Sequence, residues 1–225
     1  MKTKFIGHRG ARGEKPENTL LGISHALKLG LDGIEIDIHL SKDGELVVIH
    51  DETIDRTTNG KGPVNKYSLE QLKSFDAGLG EKIPTLSEVI DLMKKFNKEL
   101  FIEMKVPGAQ EKILKLIKEK NFADLSILKA FNHRLILNFK NLAPNIRAQV
   151  LMDSLPIDPV SIIKSAKADG ISVNTKMLDK TLVEQCHQAG FFVTTWNANT
   201  KEDLLKFTEM KVDYVCTDFP KLVNP

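Results

Sequence analysis

The stretch GIEIDIHLSKDGELVVIHD, residues 33–51, decides the fold. Its first eight residues alternate strictly. Side chains on a strand leave opposite faces in turn, so Ile34, Ile36 and Ile38 share one face and Glu35, Asp37 and His39 the other. A strand built only to pack would not carry three ionisable groups on one side. Asp43-Gly44 is a strong hairpin signal that sends LVVIHD back alongside. A two-residue turn there sets Asp37 directly opposite His50. A three-residue turn with a bulge at Gly44 shifts the register by one and aims His50 differently, and the sequence leaves both open.

Outward from this hairpin, short β-rich runs alternate with amphipathic helical patterns. Strands are predicted at 4–8, 33–40, 100–105, 125–131, 147–152, 170–174, 191–196 and 213–217. Helices are predicted near 18–29, 86–97, 109–120, 133–141, 158–167, 179–189 and 201–209. In the third of these helices, Ile113, Leu114, Leu116 and Ile117 form an apolar stripe among lysines and glutamates. Gly30 and Gly190 mark helix ends, and Asp179 and Thr200 mark helix starts. Eight strands spaced by helices point to an α/β fold, a TIM-type (β/α)8 barrel, with an open doubly wound sheet as runner-up.

Residues 41–85 break the rhythm with a return strand at 46–49, a polar loop and a short helix near 68–74. They read as an insertion between the second strand and second helix, without a separate core, inside one barrel domain spanning 1–225. After the last strand only DFPKLVNP remains, enough for one helical turn at most.

The 225 residues are 41% hydrophobic and carry a net charge of +2, ordinary values for a globule. No global field favours nucleic acid, and no run is long enough to span a membrane. The N-terminus lacks an apolar leader core, so a cytoplasmic protein is expected. Cys186 and Cys216 have no metal-ligand spacing and read as reduced core thiols. Oligomeric state is not legible.

In a parallel barrel, functional groups gather at the C-terminal ends of the strands. Those ends carry His8 and Arg9, then Glu35 and Asp37, then Glu103 and Lys105, and finally Trp196. Three carboxylates suit one hard divalent ion such as Mg²⁺ or Ca²⁺ better than zinc. His8 and His50 can supply a general base and a general acid. Arg9 and Lys105 match the oxygens of an anion, with a phosphate ester the expected substrate. Trp196 can stack on the substrate or simply line the rim. His25, His39, His133 and His187 read as supporting positions.

The ordered set HRG (8–10), PENT (16–19), EID (35–37), KDGELVVIHD (42–51), RTT (56–58), IPTLSEV (83–89), IEMK (102–105) and TDFP (217–220) resembles the glycerophosphodiester phosphodiesterase family along nearly the whole chain. The resemblance implies a TIM-type barrel with the insertion capping its mouth. It implies a divalent cation held at Glu35, Asp37 and Glu103, an acid–base pair at His8 and His50, and phosphate contacts from Arg9 and Lys105. The implied reaction hydrolyses small diesters, such as glycerophosphocholine or glycerophosphoethanolamine, to glycerol 3-phosphate and an alcohol. WNAN (196–199) and KAFN (129–132) depart from the family's usual WTVN and Ser-Phe-Asp patterns. Glu17 and Asn18 read as the opening of the first helix. A lysophospholipase D-like activity on a lipid-bearing diester would need an apolar mouth. A catalytically silent binding barrel could have lost a ligand or histidine, and this chain retains all of them.

Overall fold

The computed structural model describes residues 2–223. Its elements run β1 (Lys4–Gly7), α1 (Leu20–Lys28), β2 (Gly33–Leu40), β3 (Leu46–Val48), α2 (Leu69–Ser74), α3 (Leu86–Phe96), β4 (Glu99–Met104) and α4 (Gln110–Glu119). They continue with β5 (Ser126–Ala130), α5 (His133–Leu142), β6 (Arg147–Met152), α6 (Pro159–Ser165), β7 (Gly170–Asn174), α7 (Lys180–Gln188), β8 (Phe192–Trp196), α8 (Lys201–Glu209) and β9 (Tyr214–Thr217). Eight of the strands are parallel, and the pairing of β1 with both β2 and β9 closes them into a barrel. Closure sets aside the open sheet. The final strand is followed by a single 3-10 turn, Pro220–Leu222.

The period-two pattern sorts two cores. Ile34, Ile36 and Ile38 of β2, with Leu100, Ile102 and Met104 of β4, join the apolar shell between strands and helices. Leu86, Val89, Ile90 and Met93 of α3 pack into the same shell, each burial contributing about 1.5–3 kcal/mol. The opposite strand faces fill the barrel. Ile6, Phe101, Ile127, Tyr214 and Cys216 form an apolar plug, with Phe101 and Tyr214 meeting edge to face at 5.0 Å. Helix starts follow their caps: Asp179 accepts from Leu182 N–H at 2.8 Å and Thr200 from Asp203 N–H at 3.0 Å. Gly30 and Gly190 both stand at φ +82°, in the left-handed region beyond a helix end that glycine enters without strain.

The hairpin takes the second of its two registers. Leu40 pairs with Leu46, His39 with Val47 and Ile38 with Val48, and Ile49 N–H donates to Asp37 C=O. Gly44 sits at φ +80° in a three-residue turn between Ser41 and Glu45. Ile49, not His50, is therefore Asp37's neighbour across the hairpin. The inserted segment also differs from expectation. Val47, Ile49, Ile54, Val64, Leu72, Ala77 and Ile83 form a small apolar cluster of their own beside the barrel.

The barrel's ladders are uneven. Within the described residues, β1 is in register with β2 only at Ile6–Gly33 and Gly7–Ile34, and β8 with β9 only at Thr194–Tyr214 and Thr195–Val215. By contrast β1 and β9 pair along their whole length, from Lys4–Tyr214 to Gly7–Thr217.

At the N-terminal ends of the strands, Glu99 gathers Lys4 at 2.8 Å, Arg147 at 2.7 Å and the Tyr214 hydroxyl at 3.2 Å. Burial alone would raise the Glu99 carboxyl, but the hydrogen bonds from Lys4 and Arg147 hold it below its ordinary value. Glu99→Ala leaves both cations unpaired, though each still reaches solvent. The expected cost is about 1–2 kcal/mol, measured as a lower urea midpoint at unchanged denaturant slope.

Candidate active site

Strand register carries the ionisable residues to one level of the barrel. Asp37 of β2 is in register with Glu103 of β4, and Glu103 with Lys129 of β5. Glu35 lies one inward step below Asp37, beside Phe101. All of them are buried, and one carboxylate oxygen from each of Glu35, Asp37 and Glu103 lies within 4.8 Å of the other two. The donor set is three hard oxygens with neither histidine nor cysteine, which fits Mg²⁺, Ca²⁺ or Mn²⁺ and not a zinc preference.

His8 follows β1, where its N–H donates to Thr217 C=O at 2.9 Å. That bond brings it beside Asp218. The His8 Nδ1 lies 2.6 Å from Asp218 Oδ1, and the Asn197 side-chain amide is 3.0 Å from the same nitrogen. Asn199 Nδ2 donates to the other Asp218 oxygen at 2.7 Å. Burial would raise Asp218, but its hydrogen bond to His8 holds it low, so the carboxylate accepts and Nδ1 donates. The His8 Nε2 is then left toward the carboxylates, 3.9 Å from Glu35 Oε2.

His50 repeats the arrangement from the return strand. Its Nδ1 is 2.6 Å from Asp51 Oδ1, and His39 Nε2 contacts the His50 carbonyl at 3.1 Å. Arg56 of the insertion holds Asp51 at 2.7 Å and Glu17 through two bonds of 2.8 Å. Those Arg56 bonds keep Asp51 ionised, well below the usual carboxylate range. Burial lowers His50, with Lys105 and Arg9 adding to it, while Asp37 and Asp51 oppose. The neutral imidazole is favoured, with Nε2 free of the Asp51 contact.

Three cations face the three carboxylates. Lys105 Nζ donates to Glu103 Oε1 at 2.6 Å and lies 3.3 Å from Asp37 Oδ1. Arg9 sits at φ +49°, its backbone N–H donating to Glu35 Oε2 at 3.1 Å and its guanidinium to Glu17 at 2.8 Å. Its Nε is 3.4 Å from Asp37 Oδ2 but makes no hydrogen bond despite its burial. Lys129 Nζ donates to Glu35 Oε1 at 3.1 Å and is 4.0 Å from Glu103 Oε2. Burial disfavours charge on Lys129, but Glu35 and Glu103 outweigh it and keep the ammonium protonated. Burial likewise would raise Asp37, yet Lys105 and Arg9 hold it well below its usual range. Glu103 is the carboxylate that rises, by burial first and then by the adjacent Asp37 charge.

The eight residues singled out from sequence divide cleanly. His8, Arg9, Glu35, Asp37, Glu103 and Lys105 meet directly through the contacts above. His50 joins them across the chain His50–Asp51–Arg56–Glu17–Arg9. Trp196 stands at the rim of the mouth, its ring edge-on to Phe131 at 5.7 Å. Glu17 and Asn18 do not open the first helix. Thr19 caps α1, Asn18 turns back at φ +54° to donate to Asp37 at 2.9 Å, and Glu17 clasps the arginines. Asp218, Asn197, Asn199, Arg56 and Lys129 escape a sequence reading as site residues. Asp218 and Arg56 lay inside recognised motifs, TDFP and RTT, and Lys129 inside the departure KAFN.

Comparison with known proteins agrees with the geometry. The model of the glycerophosphoryl diester phosphodiesterase family matches residues 8–222. A glycerophosphodiester phosphodiesterase of Caldanaerobacter subterraneus subsp. tengcongensis is 39% identical over 237 residues, covering 100% of this chain and 98% of the relative. One from Bacillus altitudinis is 35% identical, covering 97% and 95%. Among solved structures, an Oleispira antarctica phosphodiesterase in complex with the product sn-glycerol-3-phosphate superposes with a TM-score of 0.92 at 29% identity, covering 100% of this chain and 98% of that one. A glycerophosphodiester phosphodiesterase from Agrobacterium tumefaciens gives 0.88 at 28%, covering 98% of both.

The arginine clasp has a pH signature. Burial would raise Glu17, but Arg56 and Arg9 bring it down to about 2 from 4.5. A depressed carboxyl binds fewer protons folded than unfolded, so its stabilisation is complete above the unfolded value and fades as pH falls through the folded one. Glu17→Gln should therefore flatten the acid limb of the stability curve between pH 4.5 and about 2, followed by urea midpoints across that window.

Proposed function

The chain belongs to the glycerophosphoryl diester phosphodiesterase family, and is an enzyme of that class; from that premise we propose that it hydrolyses small glycerophosphodiesters, with a divalent cation held by Glu35, Asp37 and Glu103 and with His8 and His50 as the acid–base pair. One observation carries the proposal. Both imidazoles have Nδ1 fixed by a carboxylate, so each presents Nε2 as its working nitrogen.

The ion, when bound, neutralises charge developing on the phosphoryl oxygens. Everything else falls to side chains. Arg9 and Lys105 turn from carboxylates toward the phosphate, and the unpaired Arg9 Nε is a donor ready for that exchange. One histidine Nε2 takes the proton of the attacking hydroxyl, either a water, which gives glycerol 3-phosphate directly, or the glycerol 2-hydroxyl, which gives a cyclic phosphate that water then opens. The other histidine, in its imidazolium form, gives its Nε2 proton to the alcohol oxygen as the alcohol's bond to phosphorus breaks. Asp218 and Asp51 hold each ring's tautomer and stabilise the imidazolium form. Trp196, at the rim, is placed to stack on the glycerol or the leaving alcohol. Two buried cysteines without a disulfide suit a reducing compartment such as the cytoplasm. Among the described residues no helix is long and apolar enough to cross a membrane.

A second reading rests on the far side of the mouth. The loops after β5, β6 and β7 expose Phe131 at 48%, Leu155 at 47%, Ile157 at 99% and Met177 at 39%. An apolar rim of this kind suits a lipid-bearing diester, the lysophospholipase D-like activity.

Release of glycerol 3-phosphate from glycerophosphocholine and glycerophosphoethanolamine, with EDTA and then Mg²⁺, Ca²⁺ or Mn²⁺ added back, tests the first reading. Activity removed by EDTA and restored by an ion is expected. Activity on lysophosphatidylcholine alone would transfer the assignment to the second reading. His8→Ala and His50→Ala should each lower kcat by about 10²–10⁴-fold with the ion's affinity unchanged. Wild-type turnover in both would end the acid–base assignment. Glu35→Gln should raise the ion concentration needed for half-maximal rate, and an unchanged value would remove Glu35 from the ligands.

A further inference from the structure

Lys129 has no task in the reaction outlined above, yet it is the most deeply buried cation of the site. Its residue is 4% exposed, and its ammonium donates to Glu35 and approaches Glu103. It stands on the same level as Asp37 and Glu103 by strand register. Lys105 and Arg9 lie closer to solvent and can exchange a carboxylate for an incoming phosphate. Lys129 cannot, because its amine is enclosed between two carboxylates beneath the mouth. Counting formal charges, Lys129, Lys105 and Arg9 balance Glu35, Asp37 and Glu103. With Lys105 and Arg9 turned to a phosphate, Lys129 is left as the positive charge against the triad.

We infer that Lys129 is a built-in counter-charge of the carboxylate triad, a positioning residue that keeps Glu35 and Glu103 assembled without an ion and lowers their affinity for one. The inference rests on the cation site proposed above. Its physics is plain. Three like charges buried together repel unless a cation lies among them, and a cation already among them repels a second. The triad is thus held ready in the ion-free protein, at the cost of weaker ion binding.

Lys129→Met keeps the chain's length and apolar stem but removes the charge, and Lys129→Arg keeps the charge. Mn²⁺ binding is followed by the electron paramagnetic resonance of the free ion, and thermal midpoints are taken in EDTA and in saturating Mn²⁺. The wild type should bind, Lys129→Met should bind about tenfold tighter or more, and Lys129→Arg should stay within about threefold of wild type. The midpoint of Lys129→Met should fall in EDTA and recover with Mn²⁺, which a simple packing defect would not do. If that variant does not hold its fold in EDTA, its affinity is read from the Mn²⁺ concentration restoring half the far-ultraviolet dichroism, and restoration is expected. Equal or weaker Mn²⁺ binding by Lys129→Met, a tightening by Lys129→Arg as well, or a midpoint loss that Mn²⁺ leaves untouched would overturn the inference. A wild type that binds no Mn²⁺ would overturn the cation site itself, whereas a wild type that binds beside an unshifted Lys129→Met overturns the role of Lys129 alone.

Discussion

Three carboxylates buried in one barrel mouth repel one another, and much of the surrounding chain is placed to neutralise them. Lys105, Arg9 and Lys129 reach them from three different strand ends, and Asn18 and the Arg9 backbone N–H fill remaining lone pairs. Removing one partner of such a set leaves a buried charge uncompensated, which is far more costly than the pair is stabilising. The constraint extends outward. Arg9 is steadied by Glu17, Glu17 by Arg56, and Arg56 by Asp51, so the electrostatics of the centre reach the inserted segment. The apolar cluster of that segment includes Ile54, two residues before Arg56 on an otherwise polar loop.

The barrel solves the problem of assembling these groups from distant sequence. Parallel strands end at one face, and their register fixes which inward side chains share a level. Asp37, Glu103 and Lys129 are neighbours for that reason, as are His8 and Asp218, which stand 210 residues apart. The histidines share a design at separate places. Each ring is fixed at Nδ1 by an ionised carboxylate, and in each case the carboxylate is itself held by a second residue, Asn199 for Asp218 and Arg56 for Asp51.

Strand-level features were the legible ones. The alternation in IEIDIHL and LFIEMK singles out the inward carboxylates, because a period of two is a local property of the chain. Helix ends were legible through Thr, Asp and Gly at the caps. The hairpin register was not, since a two-residue and a three-residue turn both accept Asp-Gly, and only the packing of Ile49 and Val47 decides between them. Asp218 and Arg56 were missed as site residues because their roles depend on closing the barrel and folding the insertion back, contacts with no sequence period. Lys129 was missed for a different reason: a lysine in an apolar strand reads as an anomaly until its two carboxylates are in view. The reading of Glu17 and Asn18 as helix-opening residues failed on one left-handed residue, which turned both toward the site.

The uneven ladders divide the barrel mechanically. β1 and β9 are zipped along their length but join β2 and β8 through short seams, so they form a two-stranded stave set into a more continuous wall. His8 leaves one edge of that stave and Asp218 the other. Across the β8 seam Asn197 and Asn199 reach His8 and Asp218, so the pair is held from the stave and from the wall together. Across the other seam, Nε2 of His8 stands 3.9 Å from Glu35 on the neighbouring wall. The carboxylate that fixes the imidazole thus sits on its own stave, while its working nitrogen faces the triad across a seam that only two residue pairs close.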